Sequence, residues 1–356
     1  MAMKIARLNL DNFMLFHSLD LPVSRGINVI CGDNSTGKTA LLKTMYATLF
    51  AYSKIQDDST KEEIELSFAK KFQGVFRPDQ KKVGRLVSRK QGRNKTCIEV
   101  ETENKEKITI RFASQSSKRV EVILPSKLEI NQKGKFQPIY FPPKEIISAT
   151  ENFSSLYEEF HISFEETYND LARLLDRPLK KGPNTAQQNR VLEKFEEIMS
   201  GKVVQKEKKF YLYVQGSGEF EMGLVSEGYR KLATILYLIS SGSLDKNSVL
   251  FWDEPETNMN PKMIHPIAEA IMELAKMGVQ VFIATHDYFL LQEFNLAAVY
   301  GINHPKVDIQ FISLYRDNEG EVIAECAKQA SQLKRNLIME EFDQLYDREQ
   351  NLIDQI

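Results

Sequence analysis

Largely apolar runs alternate with helical stripes along this chain, and their order predicts a buried parallel sheet. Such runs occupy residues 27–31, 249–252 and 279–284, which indicates strands covered on both faces. Between the second and third runs, apolar residues recur at helical spacing from Ile264 to Ala275. This is the pattern of a βαβ unit, whose right-handed crossover brings the ends of both strands to one edge of the sheet.

Shorter alternating runs predict antiparallel strands elsewhere. A strand pair is expected within residues 4–21, ahead of the first buried run, and an antiparallel β subdomain at roughly 62–135. The strands of that subdomain are predicted at 96–101, 107–112 and 119–124. Lys135 to Pro143 and Phe210 to Gln215 are expected to be two further strands.

Helical patterns occupy residues 151–175 and 186–199, which predicts a helical insertion at roughly 150–202 within a single domain over 1–330. A tail over residues 331–356 completes the chain and predicts an acidic amphipathic helix. Its apolar residues, favoured for the core and otherwise available to a partner, are Leu337, Ile338, Phe342, Leu345 and Leu352.

Composition excludes several classes of protein. A net charge of −2 gives no general attraction to nucleic acid or acidic membranes, so such binding needs a local patch. Cys31, Cys97 and Cys326 are odd in number and widely spaced, which argues against a disulfide framework and fits a reducing cytosol. The N-terminal residues lack a signal-peptide pattern, and no window approaches the ~18 apolar residues of a membrane span. We therefore expect a cytoplasmic protein that does not use a membrane.

One stretch, Lys70 to Lys95, has ten Lys and Arg residues against the single acid Asp79. It is the candidate DNA contact, because its charges could follow a phosphate backbone while Phe72 and Phe76 stack on bases. The alternative is a solvated hairpin or a docking face for an acidic protein, since charge runs commonly lie on the surface. Both interpretations stay open at the level of sequence.

Residues 32–39, G-D-N-S-T-G-K-T, follow the first buried run and precede a helical stripe. Glycines at two positions let backbone N–H groups turn inward around a diphosphate, and the helix that follows adds its positive dipole end. Lys38 offers a cation to the β- and γ-phosphates, and Thr39 offers a hydroxyl to Mg²⁺. The predicted nucleotide-binding residues are Asn34, Ser35, Thr36, Gly37, Lys38 and Thr39. The aromatic cluster at 13–17 is either part of the core or a platform for an adenine ring.

A second motif, Val225 to Lys231, opens another helix. Ser226 is placed as its N-cap and Gly228 permits close approach, so the helix dipole can form a second anion site there. The alternative is a serine that only satisfies the backbone donors of its own helix.

Polar side chains end the second and third buried runs. Asp253 can hold the Mg²⁺ shell through water, and Glu254 can polarise the water that attacks a γ-phosphate. His286 follows the third run, and the βαβ geometry brings it to the same edge, within reach of a γ-phosphate. The competing interpretations are a surface acidic pair and a structural histidine.

The order of these motifs resembles the ABC-type ATPase heads of the SMC, RecF and OLD (overcoming lysogenization defect) group of AAA ATPases. The segment Glu254 to Asn258, E-P-E-T-N, is most similar to the OLD and defence-associated branch. The resemblance covers residues 3 to about 290 and implies an α/β P-loop NTPase, an ABC-ATPase head with a mixed central sheet, an antiparallel β subdomain and a helical subdomain.

The resemblance also implies a homodimer that encloses two ATP molecules. In that arrangement Lys38 and Thr39 bind nucleotide and Mg²⁺ within one chain, while Ser226 and Gly228 reach the γ-phosphate held by the other. Residues 258–260 would bridge the two sites.

Three further assignments follow from the resemblance. His286 would be the switch histidine, and the glutamine that contacts the metal would be Gln137, the other nearby glutamine being Gln132. The signature V-S-E-G-Y at 225–229 departs from that of transporter ATPases, which argues against transport. Only some seventy residues follow His286, and they hold no obvious acidic metal triad, so no nuclease domain is expected there.

These features predict an ATPase that switches conformation by dimerising around MgATP. It would control DNA transactions or a separate effector protein in trans, and the resemblance suggests defence against phage. The alternative is an ATP-dependent scaffold or sensor that holds a partner toxin or nuclease without binding DNA itself.

Overall fold

The three buried runs lie side by side in a six-stranded mixed sheet of the computed structural model, which describes residues 3–89, 94–125, 136–160, 162–301 and 307–354. The strands are β1 (Ile5–Phe13), β2 (Phe16–Pro22), β3 (Ile27–Gly32), β4 (Lys95–Thr102), β5 (Lys107–Ala113), β6 (Glu121–Ile123), β7 (Gln137–Phe141), β8 (Gly201–Lys206), β9 (Lys209–Val214), β10 (Gly218–Glu221), β11 (Ser248–Asp253), β12 (Gln280–Ala284), β13 (Ile309–Arg316) and β14 (Val322–Ala327). The helices are α1 (Lys38–Ser53), α2 (Lys61–Phe76), α3 (Phe153–Phe160), α4 (Glu166–Leu175), α5 (Ala186–Met199), α6 (Glu227–Ser240), α7 (Ile264–Lys276), α8 (Tyr288–Tyr300) and α9 (Leu337–Ile353).

The central sheet has the order β14-β13-β3-β12-β11-β7, and all its pairs are parallel except β13 with β14. Asp253 at the end of β11 pairs with Ala284 of β12, which in turn pairs with Ile30 of β3. The carboxyl ends of the three predicted strands therefore meet at one edge, as the βαβ pattern required.

Two apolar cores lie on opposite faces of this sheet. Alternate residues of β11 face opposite ways, so that Phe251 packs with α1 and α2 while Trp252 packs with α6 and α7. Because both faces are covered, the strands read as nearly continuous apolar runs.

A second, antiparallel sheet has the order β2-β1-β4-β5-β6. The predicted strand pair and the predicted antiparallel strands between 96 and 124 are thus confirmed, and the two groups form a single sheet through the pairing of β1 with β4. The strand predicted at 210–215 is β9, which lies in a third sheet of order β10-β9-β8.

The helix predicted at 151–175 is two helices, α3 and α4, with His161 outside the described residues. Phe164, between the helices, packs edge-on against Phe153 of α3 at 5.3 Å and against Tyr168 of α4 at 5.4 Å. This aromatic cluster brings the two helices together and explains the break in the helix.

The hairpin interpretation of the basic stretch is wrong. Its first part continues α2, and 3₁₀ turns follow at 79–81 and 83–86. Phe72 is fully buried and stacks on Phe76, and Lys71 forms buried ion pairs with Asp170 and Glu166, so Phe72 does not stack on bases. The apolar residues of α2 recur at helical spacing, and the face of the helix that carries them packs into the core. Of the basic residues, Lys90 and Arg93 lie outside the described part of the chain.

The core interpretation of the C-terminal helix is also wrong for most of its apolar residues. Ile338 packs on the core. Phe342, Leu345 and Leu352 of α9 are 44%, 56% and 63% exposed, because the helix runs on past the residues that it covers. None of the described helices combines the length and apolarity that crossing a bilayer requires.

Candidate functional site

The loop formed by residues 32–39 joins β3 to α1 at the carboxyl edge of the central sheet. Gly37 has a φ of 95°, and a Cβ there would lie 2.6 Å from the Phe16 ring, so any other residue would be strained and would displace that ring. Gly32 is equally constrained, because a Cβ would lie 2.1 Å from the Leu314 carbonyl oxygen. The two glycines bring the backbone of the loop against β13 and the ring of Phe16.

The aromatic cluster at 13–17 belongs mainly to the core. Phe13 and Phe16 are fully buried, so the core interpretation is confirmed for both rings and neither is a platform for adenine. The Phe16 ring instead lies next to Gly37 and supports the 32–39 loop there.

Lys38 begins α1 and its side chain is held inside the loop. Its Nζ donates to the carbonyl oxygens of Gly32 and Asp33, both at 2.8 Å. Burial lowers the pKa of Lys38 from its ordinary value, and nearby Glu254 opposes that shift. Asn34 and Ser35 are exposed at the tip of the loop, and Arg316 of β13 donates to the Ser35 carbonyl oxygen at 3.2 Å.

Asp253 ends β11 beside α1, almost fully buried. It accepts hydrogen bonds from the Thr39 hydroxyl to Oδ1 and from the Tyr140 hydroxyl to Oδ2, each at 3.0 Å. Burial raises the pKa of Asp253, and the two hydrogen bonds act in the opposite direction. A hydroxyl and a carboxylate side by side at the start of α1 fit Mg²⁺, which takes one or two carboxylates together with substrate phosphates.

Glu254 follows at once in a left-handed conformation, with a φ of 48°. Its N–H donates to the Ala284 carbonyl oxygen at 2.9 Å, and its Oε2 accepts from the Thr257 hydroxyl at 3.1 Å. The turn lifts the carboxylate out of the strand, where Oε1 lies 3.7 Å from Nε2 of His286. Burial and the charge of Lys38 lower the pKa of His286, which favours the neutral imidazole.

A residue that was not singled out in the sequence, Glu256, holds the end of β12. Its Oε1 accepts from the Thr285 hydroxyl at 2.7 Å and from the His286 backbone N–H at 2.9 Å. Burial raises the pKa of Glu256. Its position two residues after Glu254 was the available signal, because a carboxylate in such a turn can accept backbone N–H groups.

The assignment of Gln137 as a metal contact is wrong. Gln137 is the first residue of β7, and the parallel register pairs it with Ser248, at the opposite end of β11 from Asp253. Five residues of strand separate the two levels, about 16 Å at the usual rise. Gln132 lies outside the described residues.

Ser226 is the N-cap of α6, as predicted, and is exposed. Its side chain makes no hydrogen bond that caps the helix, so the alternative of a purely capping serine is not what this structure adopts. Gly228 lies in the first turn of α6, where a Cβ would approach Met263 at 3.5 Å. Within the described residues no hydrogen bond joins Ser226 to the 32–39 loop of its own chain.

Lys231, to which no role was assigned from the sequence, joins α6 to the turn after Asp253. Its buried Nζ donates to the backbone carbonyl oxygens of Thr257 at 2.8 Å and Pro255 at 3.1 Å. Arg230 beside it pairs with Glu145, beyond the end of β7, at 2.6 Å. The start of α6 is thus joined to the segment that includes Glu254.

The helix after Asn260 is preceded by a short 3₁₀ turn. Asn260 caps a 3₁₀ turn at 261–263 by accepting from the Lys262 N–H at 3.0 Å, and α7 begins only at Ile264. Pro266 therefore sits in the first turn, where its missing N–H costs no hydrogen bond.

Solved structures with a similar fold include head domains of Smc proteins. The Smc head bound to the C-winged helix domain of ScpA has a TM-score of 0.56 at 14% identity, covering 91% of this chain and 97% of that one. The Smc head with an extended coiled coil from Pyrococcus furiosus, bound to the C-terminal domain of ScpA, has a TM-score of 0.54 at 12% identity, covering 97% and 100%. The Smc head with a coiled coil and joint from Pyrococcus yayanosii has a TM-score of 0.53 at 10% identity, covering 91% and 97%.

At these identities the likeness concerns the fold, which is that of an ABC-ATPase head. No curated protein matches the sequence. The family model described as "AAA domain, putative AbiEii toxin, Type IV TA system" matches residues 27–292, from β3 into α8, a range that includes the 32–39 loop, Ser226, Asp253, Glu254 and His286. The chain therefore belongs to this family of AAA ATPases and has the head fold shared with Smc.

Proposed function

We propose that this protein binds and hydrolyses ATP and that a homodimer closed around MgATP is its active conformation. The observation that carries the proposal is the meeting of Lys38, Thr39, Asp253, Glu254 and His286 at one sheet edge. The Thr39 hydroxyl donates to Asp253, and Glu254 lies beside His286. This grouping of charges and hydroxyls suits a triphosphate with its metal.

The phosphates would lie along the backbone N–H groups of the 32–39 loop, at the positive end of α1. Lys38 would exchange its hydrogen bonds to the Gly32 and Asp33 carbonyl oxygens for bonds to the β- and γ-phosphates. When bound, Mg²⁺ neutralises charge on the phosphate oxygens, and Thr39 and Asp253 are the residues that would hold it.

Glu254 is the proposed base for the attacking water. It sits 3.7 Å from a His286 ring whose lowered pKa leaves it neutral, so the histidine can donate to a γ-phosphate oxygen without adding a charge. Glu256 accepts a hydrogen bond from the His286 backbone N–H, and Thr257 donates one to the Glu254 carboxylate. These two contacts hold His286 and Glu254 in position.

The partner chain is proposed to complete the site. Ser226 is exposed with an uncapped hydroxyl, and the first N–H groups of α6 beside it are oriented to bind an anion. A γ-phosphate held by one chain and contacted by α6 of the other would stabilise the closed dimer only while it is present.

Ser226→Arg tests the dimer. The added side chain would block a second copy from approaching α6, so ATP-dependent dimerisation should fall below detection while the monomer keeps its ATP affinity. Light scattering with and without MgATP measures the first property, and calorimetry of ATP binding measures the second.

Ser217→Arg is the matched control for this change. Ser217 lies in the exposed turn between β9 and β10, so this variant adds the same charge away from α6 and should dimerise normally. If Ser226→Arg dimerises as the wild type does, α6 does not contact the partner's nucleotide.

Lys231→Met tests the link between α6 and the Glu254 turn. Loss of the ammonium removes its hydrogen bonds to the Pro255 and Thr257 carbonyl oxygens, and a displacement of about 1 Å can cost roughly 100-fold in rate. We expect turnover, measured by phosphate release, to fall at least about tenfold. ATP affinity should stay within about threefold of wild type, because the displacement affects the rate and not the phosphate-binding loop. Lys202→Met, at an exposed position of β8, is the control and should turn over normally.

The output is proposed to be control of DNA transactions or of a separate effector, in defence against phage. The defence role rests on the family description, which refers to AbiEii toxin and a Type IV TA system. The alternative function, a scaffold that holds a partner toxin or nuclease without DNA, is favoured by the exposed apolar residues of α9.

DNA binding and partner binding separate the two outputs. In the first, DNA affinity should fall steeply with salt, through basic residues such as Arg89 and Lys95. In the second, ATP turnover should be independent of DNA, and truncation before Leu337 should release the partner while leaving nucleotide affinity unchanged. Filter binding over a salt series measures the DNA affinity. Affinity purification with and without α9 measures partner binding.

A further inference from the structure

Tyr140 is a buried tyrosine of β7 whose hydroxyl reaches the end of the neighbouring strand. β7 and β11 are parallel, and Tyr140 pairs with Phe251, two residues before Asp253. From there the ring extends along the sheet toward its carboxyl edge, and the hydroxyl donates to Oδ2 of Asp253 at 3.0 Å. Both side chains are only 2% exposed.

The two oxygens of Asp253 are divided between two donors. Oδ1 accepts from Thr39 on α1, and Oδ2 accepts from Tyr140 on the adjacent strand. Because the donors lie on different elements, the carboxylate cannot rotate about its Cβ–Cγ bond without breaking one of these hydrogen bonds. The ring of Tyr140 is itself held by Tyr46 of α1, with centroids 5.3 Å apart.

We propose that Tyr140 is a positioning residue, which orients Asp253 to hold the Mg²⁺ that accompanies the nucleotide; this rests on the proposed function. Tyr140 touches neither phosphate nor metal in this scheme. If the Thr39 oxygen were to hold Mg²⁺, the Tyr140 hydroxyl would still donate to Oδ2 and would hold the carboxylate in place. Hydrogen bonds of this kind to metal-holding carboxylates commonly change metal affinity by 10- to 100-fold.

A competing explanation is that Tyr140 is simply part of the core, and its neighbour provides the comparison. Tyr46 is equally buried, but its hydroxyl donates to Oδ2 of Asp170 at 2.7 Å, on α4 and away from Asp253. Tyr46→Phe and Tyr140→Phe therefore each remove one buried hydroxyl from adjacent rings, and only the second removes a donor from Asp253.

The test measures binding of a fluorescent ATP analogue to the full chain, first in EDTA and then over a Mg²⁺ titration. Tyr140→Phe should bind the analogue in EDTA within about twofold of wild type and should need about 10- to 100-fold more Mg²⁺ for half-saturation. Tyr46→Phe should leave the Mg²⁺ dependence unchanged.

Equal Mg²⁺ dependence in wild type and Tyr140→Phe would overturn the inference, as would an equal shift in both variants. Analogue binding in EDTA also reports whether each variant is folded. If the Phe variant does not fold, Tyr140→Met removes the same hydroxyl with a more adaptable side chain and is held to the same comparison. Wild-type protein that binds no nucleotide at all would overturn the proposed function, and this inference with it, whereas normal nucleotide binding with an unaltered Mg²⁺ response overturns the inference alone.

Discussion

Lys38→Ala is expected to abolish measurable ATP binding. The Lys38 ammonium is buried and donates to the Gly32 and Asp33 carbonyl oxygens, so it lies inside the loop that would enclose the phosphates. Hydrogen bonds to charged groups contribute about 1.5–3 kcal/mol each, so loss of two of them lowers affinity by at least about 100-fold. Calorimetric titration with ATP measures the effect.

Lys54→Ala is the matched control, because Lys54 caps the opposite end of α1 and lies far from the loop. It should bind ATP as the wild type does. Melting curves of both variants without nucleotide establish that any loss arises in the site. Unchanged ATP affinity in Lys38→Ala would mean that the 32–39 loop is not a phosphate-binding loop.

Glu254→Gln should separate binding from turnover. The amide keeps the size of the side chain and a hydrogen-bond acceptor for the Thr257 hydroxyl, but it cannot take a proton from water. A positioned general base contributes about 10²- to 10⁴-fold, so phosphate release should fall by at least about 100-fold. Because the nucleotide is not consumed, the variant should accumulate as an ATP-bound dimer.

Two measurements check this expectation. Phosphate release under saturating MgATP reports turnover, and size-exclusion chromatography with ATP reports the dimer. Adding Ser226→Arg to Glu254→Gln should return the protein to a monomer that still holds ATP. Rapid phosphate release by Glu254→Gln would remove Glu254 from the role of base, whatever its oligomeric state.

The apolar runs and their order were sufficient to predict the centre of the fold. Strands buried on both faces need continuous apolar residues, and a right-handed crossover leaves one arrangement of β11, α7 and β12. Weaker sequence patterns gave wrong predictions where tertiary contacts determined the local structure. An aromatic cluster around Phe164 broke a predicted helix into α3 and α4, and the apolar face of α2 turned Phe72 inward from a stretch that reads as basic surface.

The candidate site divides in the same way. The sequence revealed the site residues that follow the strongly apolar strands. These are residues 32–39 after β3, Asp253 and Glu254 at the end of β11, and His286 after β12. Glu256 and Lys231 lie inside the same motifs, and only their hydrogen bonds identify what they hold. Gln137 was misplaced because a strand's register cannot be read from its own residues.

The sequence by itself determined the family, the three buried strands of the central sheet and the groups available for nucleotide chemistry, since these depend on local spacing. Only the tertiary structure decided which distant side chains support them. Tyr140 stands more than one hundred residues before Asp253 and carries no motif, yet parallel pairing of β7 with β11 brings its hydroxyl to 3.0 Å from that carboxylate. A hydrogen bond across a sheet depends on register and strand order, which arise from packing of the whole chain and leave no local signature.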